Sequence, residues 1–179
     1  MRTLAIALVI SLFCAGASEA QMLGELRGGV FVHNLGNGML DSCRIADANV
    51  EFLFKPLLDT YVAGSLNPHI GVTANFGGAE SFGYAGLTYH LPIAVTPFFV
   101  EAGLGAALGS DAITGSSNSK PAQAQQVGCA VMGHAEGSVG MNVAGLADVM
   151  LTAENYFPVS SCGNQSSITN IGARVGFSF

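Results

Sequence analysis

Four histidines, His33, His69, His90 and His134, stand in segments that also carry Glu25, Glu51, Glu101, Glu136 and Asp148, with Arg27 and Arg174 as the cations. An imidazole beside a carboxylate can serve as a general base, a proton relay or a metal ligand. Here the histidines are spread over four segments, which points to a hydrogen-bonded interior network. Buried charges must be paired, and perturbed groups occur in structural networks as well as in active sites. Neither a metal nor a cofactor is expected, since no C-x-x-C or H-E-x-x-H spacing occurs. Gly103-Leu104-Gly105 is half of a dinucleotide fingerprint, but it opens no helix. There is no G-x-S-x-G nucleophile elbow.

The elements that must position these groups begin after an export signal. Met1-Arg2-Thr3 is a short positive start, Leu4 to Ala17 is almost wholly apolar, and Ser18-Glu19-Ala20 supplies small residues where a signal peptidase reads. Residues 1–20 are therefore expected to be a signal peptide cleaved before Gln21, and residues 21–179 a single domain. Cys14 follows the bulky Phe13 and does not read as a lipoprotein cysteine.

Composition narrows the class. Half of the chain is hydrophobic, 10% is charged and 24 of 179 residues are glycine, against about 25% charged and about 7% glycine in an average soluble domain. That charge level argues against an ordinary cytosolic enzyme, and the apolar content excludes disorder. With 6 Lys and Arg against 12 Asp and Glu, no cationic footprint for nucleic acid exists.

No stretch after the signal holds 18 uninterrupted apolar residues, so no transmembrane helix is expected. The mature chain instead alternates with period two in eight runs, near 22–33, 45–54, 69–76, 82–91, 97–108, 129–139, 143–156 and 168–179. Glu25, Arg27, Asp47, Glu51, Glu101, Glu136, Asp148, Glu154, Arg174 and all four histidines fall in these runs. Within any one run they share a single parity, so each strand has one polar face. A soluble up-and-down barrel or sandwich would turn that face outward, where so few charges would solvate it thinly. An outer-membrane barrel turns it inward and presents Ala, Val, Leu, Ile and Phe to lipid. The expected fold is all-β: an eight-stranded antiparallel up-and-down transmembrane β-barrel. Phe179, closing an alternating strand, matches the C-terminal signal such barrels present to the barrel-assembly machinery.

With the N-terminus in the periplasm, the exterior loops are 34–44, 77–81, 109–128 and 157–167. Cys43, Cys129 and Cys162 all fall at that end, in an oxidising compartment. A Cys129–Cys162 disulfide would clip neighbouring loops, while Cys43 reaches the fourth loop equally well around a closed barrel, so the pairing stays open. The segment Lys55 to Pro68 is longer than the periplasmic turns of such barrels.

Five segments carry a resemblance: Glu25 to His33, Asp47 to Phe54, Pro68 to Gly71, Tyr84 to Tyr89 and Phe99 to Gly105. Their order and spacing are similar to the lipid A 3-O-deacylase family, also labelled acyloxyacyl hydrolase-like, of Gram-negative outer membranes. The resemblance implies an eight-stranded barrel in the outer membrane with lipopolysaccharide, through its lipid A, as the partner. Its enzymatic members use a Ser nucleophile, a His base two residues before it and a Glu on the last strand that orients the His, the set that activates a hydroxyl. Matching from the C-terminus puts the His position at Asn155, the Ser position at Phe157 and the Glu position at Thr169, all on the lipid-facing parity. Glu154 matches the acidic residue that commonly precedes the family's His. None of the three is the residue type the family uses at its position, and no His follows His134, even if the alignment slides to Ser160 or Ser161. The expectation is a member without deacylase activity that acts structurally or by interaction. The alternatives are an active deacylase rebuilt around His33 near Thr169, which requires a hydroxyl or carboxylate within reach of His33, and a small pore, which eight strands disfavour.

Overall fold

The computed structural model describes residues 22–33, 45–60, 63–77, 79–110, 131–159 and 167–179. The expected leader, Cys43, Cys129, Cys162 and most of the exterior loops lie outside the described residues. Nine strands run in chain order: β1 (Leu23–Val32), β2 (Ile45–Phe54), β3 (Leu58–Thr60), β4 (Gly64–Asn75), β5 (Phe82–Pro92), β6 (Phe98–Gly109), β7 (Val131–Val143), β8 (Ala147–Pro158) and β9 (Ile168–Ser178). Among the described residues, no helix is long and apolar enough to cross a membrane.

Every pairing is antiparallel, in the order β2-β1-β9-β8-β7-β6-β5-β4, and a β2–β4 pairing closes the sheet on itself. The last strand completes the barrel against the first, from Glu25↔Ser178 to Val32↔Ile171, and the Phe179 N–H donates to Gly24 O at 3.0 Å. The eight-stranded antiparallel barrel read from period two is therefore the fold, and closure leaves its eight strands without a free edge.

Parity divides the residues as the charges require. Val50, Val72, Leu104, Val139, Leu151 and Ile171 point outward and are exposed, while Arg27, Glu51, His134 and Arg174 on the other face are at most 1% exposed. The soluble alternative, with its apolar face inward, is thereby overturned.

Three details depart from the period-two reading. The long segment after β2 is accounted for by β3, which pairs with the start of β4 from Leu58↔Leu66 to Thr60↔Gly64. β2 and β3 lie along β4 one after the other, and Pro68, which has no N–H to donate, sits opposite the break between them. Gly64 closes this small hairpin at φ +89°, where a Cβ would lie 2.2 Å from His90 O. The second departure is the β7–β8 turn. Gly140 and Asn142 resemble turn residues, yet β7 runs on to Val143. The chain reverses at Ala144 and Gly145, with φ of 54° and 70° and Leu146 N donating to Val143 O at 3.1 Å. The third is that an aromatic cluster fills part of the loop-side interior, beside its polar groups. Phe82, Tyr84, Ala107, Met132, Tyr156 and Ile168 form one buried cluster, with Phe82 stacked on Tyr156 at 4.2 Å between centroids. Gly71 leaves room in the wall for the Tyr84 ring, which a Cβ there would meet at 2.4 Å.

Candidate functional site

Two groups of polar residues can carry chemistry, one inside the barrel and one on its outer wall. Inside, Arg27 and Arg174 are the hubs. Arg27 forks onto Glu25, with Nε to Oε1 at 2.9 Å and Nη2 to Oε2 at 2.8 Å. It forks again onto Glu101 at 2.8 and 2.7 Å, and reaches Glu51 Oε1 at 3.4 Å. Arg174 donates to Glu136 at 2.8 Å, to Glu154 at 3.3 Å and to Tyr84 Oη at 3.2 Å, and its guanidinium lies 5.1 Å from the centre of the Phe31 ring. Glu51 joins the two hubs, because its second oxygen lies 3.5 Å from Arg174 and accepts from Tyr84 Oη at 2.9 Å. Paired guanidinium and carboxylate forks of this kind keep charges tolerable in a low-dielectric interior.

The histidines attach to this frame unequally. His90 donates to Glu101 at 2.8 Å near the end where β1 begins and β9 finishes. His69 donates through Nδ1 to Thr88 at 2.6 Å, and Thr88 passes its own hydrogen to Glu136 at 3.1 Å. His134 is fully buried between the Tyr84 and Tyr156 rings, at 4.2 and 5.0 Å, and neither ring nitrogen has a hydrogen-bond partner among the described residues. His33 donates to Asp47 Oδ2 at 2.8 Å near the loop end of the barrel, and Asp47 also accepts from Asn75. Asp148, back near the turns, accepts from Asn142 at 2.8 Å.

Glu25, Arg27, His33, Glu51, His69, His90, Glu101, His134, Glu136, Asp148 and Arg174 thus all face inward. They form three groups: the Arg27–Arg174 frame, the His33–Asp47–Asn75 set near the loops and the Asp148–Asn142 pair. Sequence reasoning placed Glu154 on the polar face but outside the network, and left out Asn49, Thr73, Tyr84, Thr88 and Tyr156. Asn49 donates to Tyr84 and Thr73, and Tyr156 donates to Thr73, which donates to Glu154. Inward parity was the available signal for them, since each lies an even number of residues from an inward charge or histidine on its own strand.

Glu51, His69 and Glu136 each bring one ligand-type atom within 4.8 Å of the others. The four carboxylate oxygens already accept from Arg27, Arg174, Tyr84 or Thr88 or face a guanidinium, and His69 Nδ1 is taken by Thr88. A cation would have to displace two guanidinium groups, so this cluster does not fit a metal.

The second group sits on the outer wall where β8 meets β9. Asn155 and Thr169 are cross-strand partners, and Asn155 Nδ2 donates to Thr169 Oγ1 at 2.7 Å and to Ile168 O at 3.3 Å. Phe157 is two residues further along β8 and lies over Gly133 of β7. The positions that match the family's base and orienting acid are therefore adjacent and bonded, on the face that would meet lipid. His33 does not join them. It faces inward from β1 while Thr169 faces outward from β9, so the sheet wall separates the two.

No protein-family model and no curated protein matches the chain. Solved structures do share its fold. The crystal structure of the outer membrane enzyme PagL is 15% identical, with a TM-score of 0.59, and the alignment covers 87% of this chain and 99% of that one. The N-terminal β-barrel domain of Pseudomonas aeruginosa OprF is 7% identical, with a TM-score of 0.54, covering 89% and 100%. A de novo designed transmembrane β-barrel is 10% identical, with a TM-score of 0.52, covering 88% and 95%. The fold is that of outer-membrane β-barrels.

Proposed function

We propose that the chain is an outer-membrane protein of a Gram-negative bacterium, exported by its leader and assembled through the strand ending in Phe179. On this reading it keeps the deacylase barrel without deacylase chemistry, in a structural or lipid-interacting role. The observation that carries it is the Asn155–Thr169 hydrogen bond of 2.7 Å with Phe157 beside it. The cross-strand geometry of a base and its orienting partner is present, but the Asn155 amide cannot abstract a proton, Phe157 carries no nucleophile, and the Thr169 hydroxyl has no base beside it among the described residues. The outward apolar face and the inward ion pairs support the membrane location.

One observation favours an active hydrolase instead. His33 is held by Asp47 at 2.8 Å, as a carboxylate orients a general base. Against it, no hydrogen bond joins His33 to a hydroxyl among the described residues. Mass spectrometry of lipid A from Gram-negative cells expressing the protein separates the two. Unchanged lipid A, with the barrel folded in the outer membrane, fits the first reading. Loss of one 3-hydroxyacyl chain, abolished by His33→Ala, establishes the second.

A further inference from the structure

At the end of the barrel away from the long loops, Ile93 to Pro97 joins β5 to β6 and Ala144 to Leu146 joins β7 to β8. The two turns are adjacent, because Asn142 N donates to Pro97 O at 2.8 Å. Their tips are aliphatic and bare. The Val95 side chain is fully exposed and Leu146 is 75% exposed, with Ala94 and Ala144 exposed beside them. Phe98, Met141 and Val149 are exposed cross-strand neighbours in one row and carry the outward apolar wall down to these tips. Among the described residues, the exposed Asp, Glu, Lys and Arg side chains are Lys55 and Asp59, both at the β2–β3 corner. The rim from β5 to β8 carries none of them.

The polar groups of these turns are bonded among themselves. Ile93 N donates to Phe98 O at 2.9 Å, Thr96 N to Ile93 O at 3.1 Å and Leu146 N to Val143 O at 3.1 Å. The Thr96 hydroxyl donates to Ile93 O and accepts from Phe98 N, while Asn142 accepts from Gly145 N and donates to the inward Asp148. Pro92 and Pro97 have no N–H to satisfy. Internal bonding of this kind is what a setting poor in water requires. The tips also depart from turn chemistry. Val95 and Ala144 adopt φ of 57° and 54°, where a turn standing in water takes Gly, Asn or Asp. A β-branched aliphatic residue held in the left-handed region, with its whole side chain outward, is strained, and removal of that side chain from water offsets the strain.

We infer that the β5–β6 and β7–β8 turns form a membrane-binding surface whose tips seat in the phospholipid leaflet on the turn side, so that this half of the barrel ends inside the bilayer. Phospholipid is the occupant because the tips prolong the apolar wall with no exposed charge between, and because the turns bond their own polar groups. The inference rests on the reading that the outward wall meets lipid. It goes beyond that reading by carrying the contact around the ends of the strands, and it does not depend on whether lipid A is hydrolysed.

The chain has no tryptophan, so a single introduced indole reports its own surroundings. The test uses the full mature chain folded in phosphatidylcholine vesicles, with and without bromine on the acyl chains. Ala94→Trp and Leu146→Trp probe the two turns, Leu104→Trp the middle of the outer wall, and Thr60→Trp the corner next to Asp59. Ala94→Trp and Leu146→Trp are expected to emit to the blue of Thr60→Trp and to be quenched severalfold more by brominated lipid, approaching Leu104→Trp, while aqueous acrylamide quenches Thr60→Trp most. In the Ala94→Trp chain, Val95→Asp with Leu146→Asp lifts the turns into water and removes the quenching by brominated lipid. Heat-modifiable migration on gels checks that each variant is folded. Turn indoles as open to acrylamide as Thr60→Trp overturn the inference, as does lipid quenching that survives both aspartates. Shielding that develops only as the protein-to-lipid ratio rises assigns the surface to a second copy and overturns it too. Absence of lipid quenching at Leu104→Trp overturns the membrane reading itself, so the two failures are told apart.

Discussion

Arg174→Met is the most informative single perturbation of the interior. The guanidinium is fully buried and faces three carboxylates, with Glu136 at 2.8 Å, Glu154 at 3.3 Å and Glu51 at 3.5 Å. Arg27 already serves Glu25 and Glu101 and reaches Glu51 only at 3.4 Å, so it cannot take over Glu136 and Glu154. Removing one partner of a buried ion pair costs about 3–5 kcal/mol, because the remaining charge is left uncompensated. A loss of about 4 kcal/mol lowers the folding equilibrium constant roughly a thousandfold. The chain has no tryptophan, so unfolding is followed by the β-sheet circular dichroism signal in lipid vesicles against urea. Arg174→Met is expected to lower the midpoint strongly, and adding Glu136→Gln is expected to recover part of the loss, since the uncompensated charge falls by one. A loss below about 1 kcal/mol, or a double variant weaker than the single by the full cost of Glu136→Gln, would refute the view that Arg174 is the counter-charge of the mid-barrel carboxylates.

Three further outcomes follow from the geometry. Asn155→His, Phe157→Ser and Thr169→Glu introduced together are expected to generate lipid A deacylation where each alone yields none, because the cross-strand register is already in place; mass spectrometry of lipid A reads the result. Gly64→Ala is expected to destabilise by more than about 1 kcal/mol, since φ is +89° and the added Cβ would meet His90 O at 2.2 Å; the urea midpoint reports it. Ala144→Gly is expected to stabilise by about 0.5–1 kcal/mol, as it relieves a φ of +54° at a turn position that favours glycine; a lowered midpoint would show that the turn is not under strain.

The strands were legible where charges marked a parity. Glu25 and Arg27 on β1, or Asn170 and Arg174 on β9, announce which face of the pleat must escape lipid, and one label orients a whole strand. The aromatic filling of the loop-side half was not legible. Phe82 and Phe31 sit at inward parity, but an aromatic ring carries no polarity mark to separate it from a lipid-facing one. The β7–β8 turn was misplaced because Gly140 and Asn142 have turn chemistry, whereas Ala144 adopts a positive φ only under the demand of pairing on both sides. The three-residue β3 is too short to show a period.

The candidate site was legible by position and not by connection. Asn155, Phe157 and Thr169 could be placed on the lipid-facing wall by counting residues, yet their being bonded depends on the β8–β9 register, which alternation does not set. His33 could be seen as a candidate base. That it turns to Asp47 and away from Thr169 follows from which side of the wall each occupies.

The sequence by itself determined the eight barrel strands, the face on which their charges lie and the reversal of polarity that suits lipid, because a period of two is a local property of the chain. Only the tertiary structure decided that Glu51 bridges two arginines from β1 and β9, that His134 lies between two tyrosines without a hydrogen-bond partner among the described residues, and that Asn155 is bonded to Thr169 across β8 and β9. Those facts arise from closing the sheet, which brings residues more than a hundred positions apart within hydrogen-bond distance, and the pattern of any single strand cannot encode it.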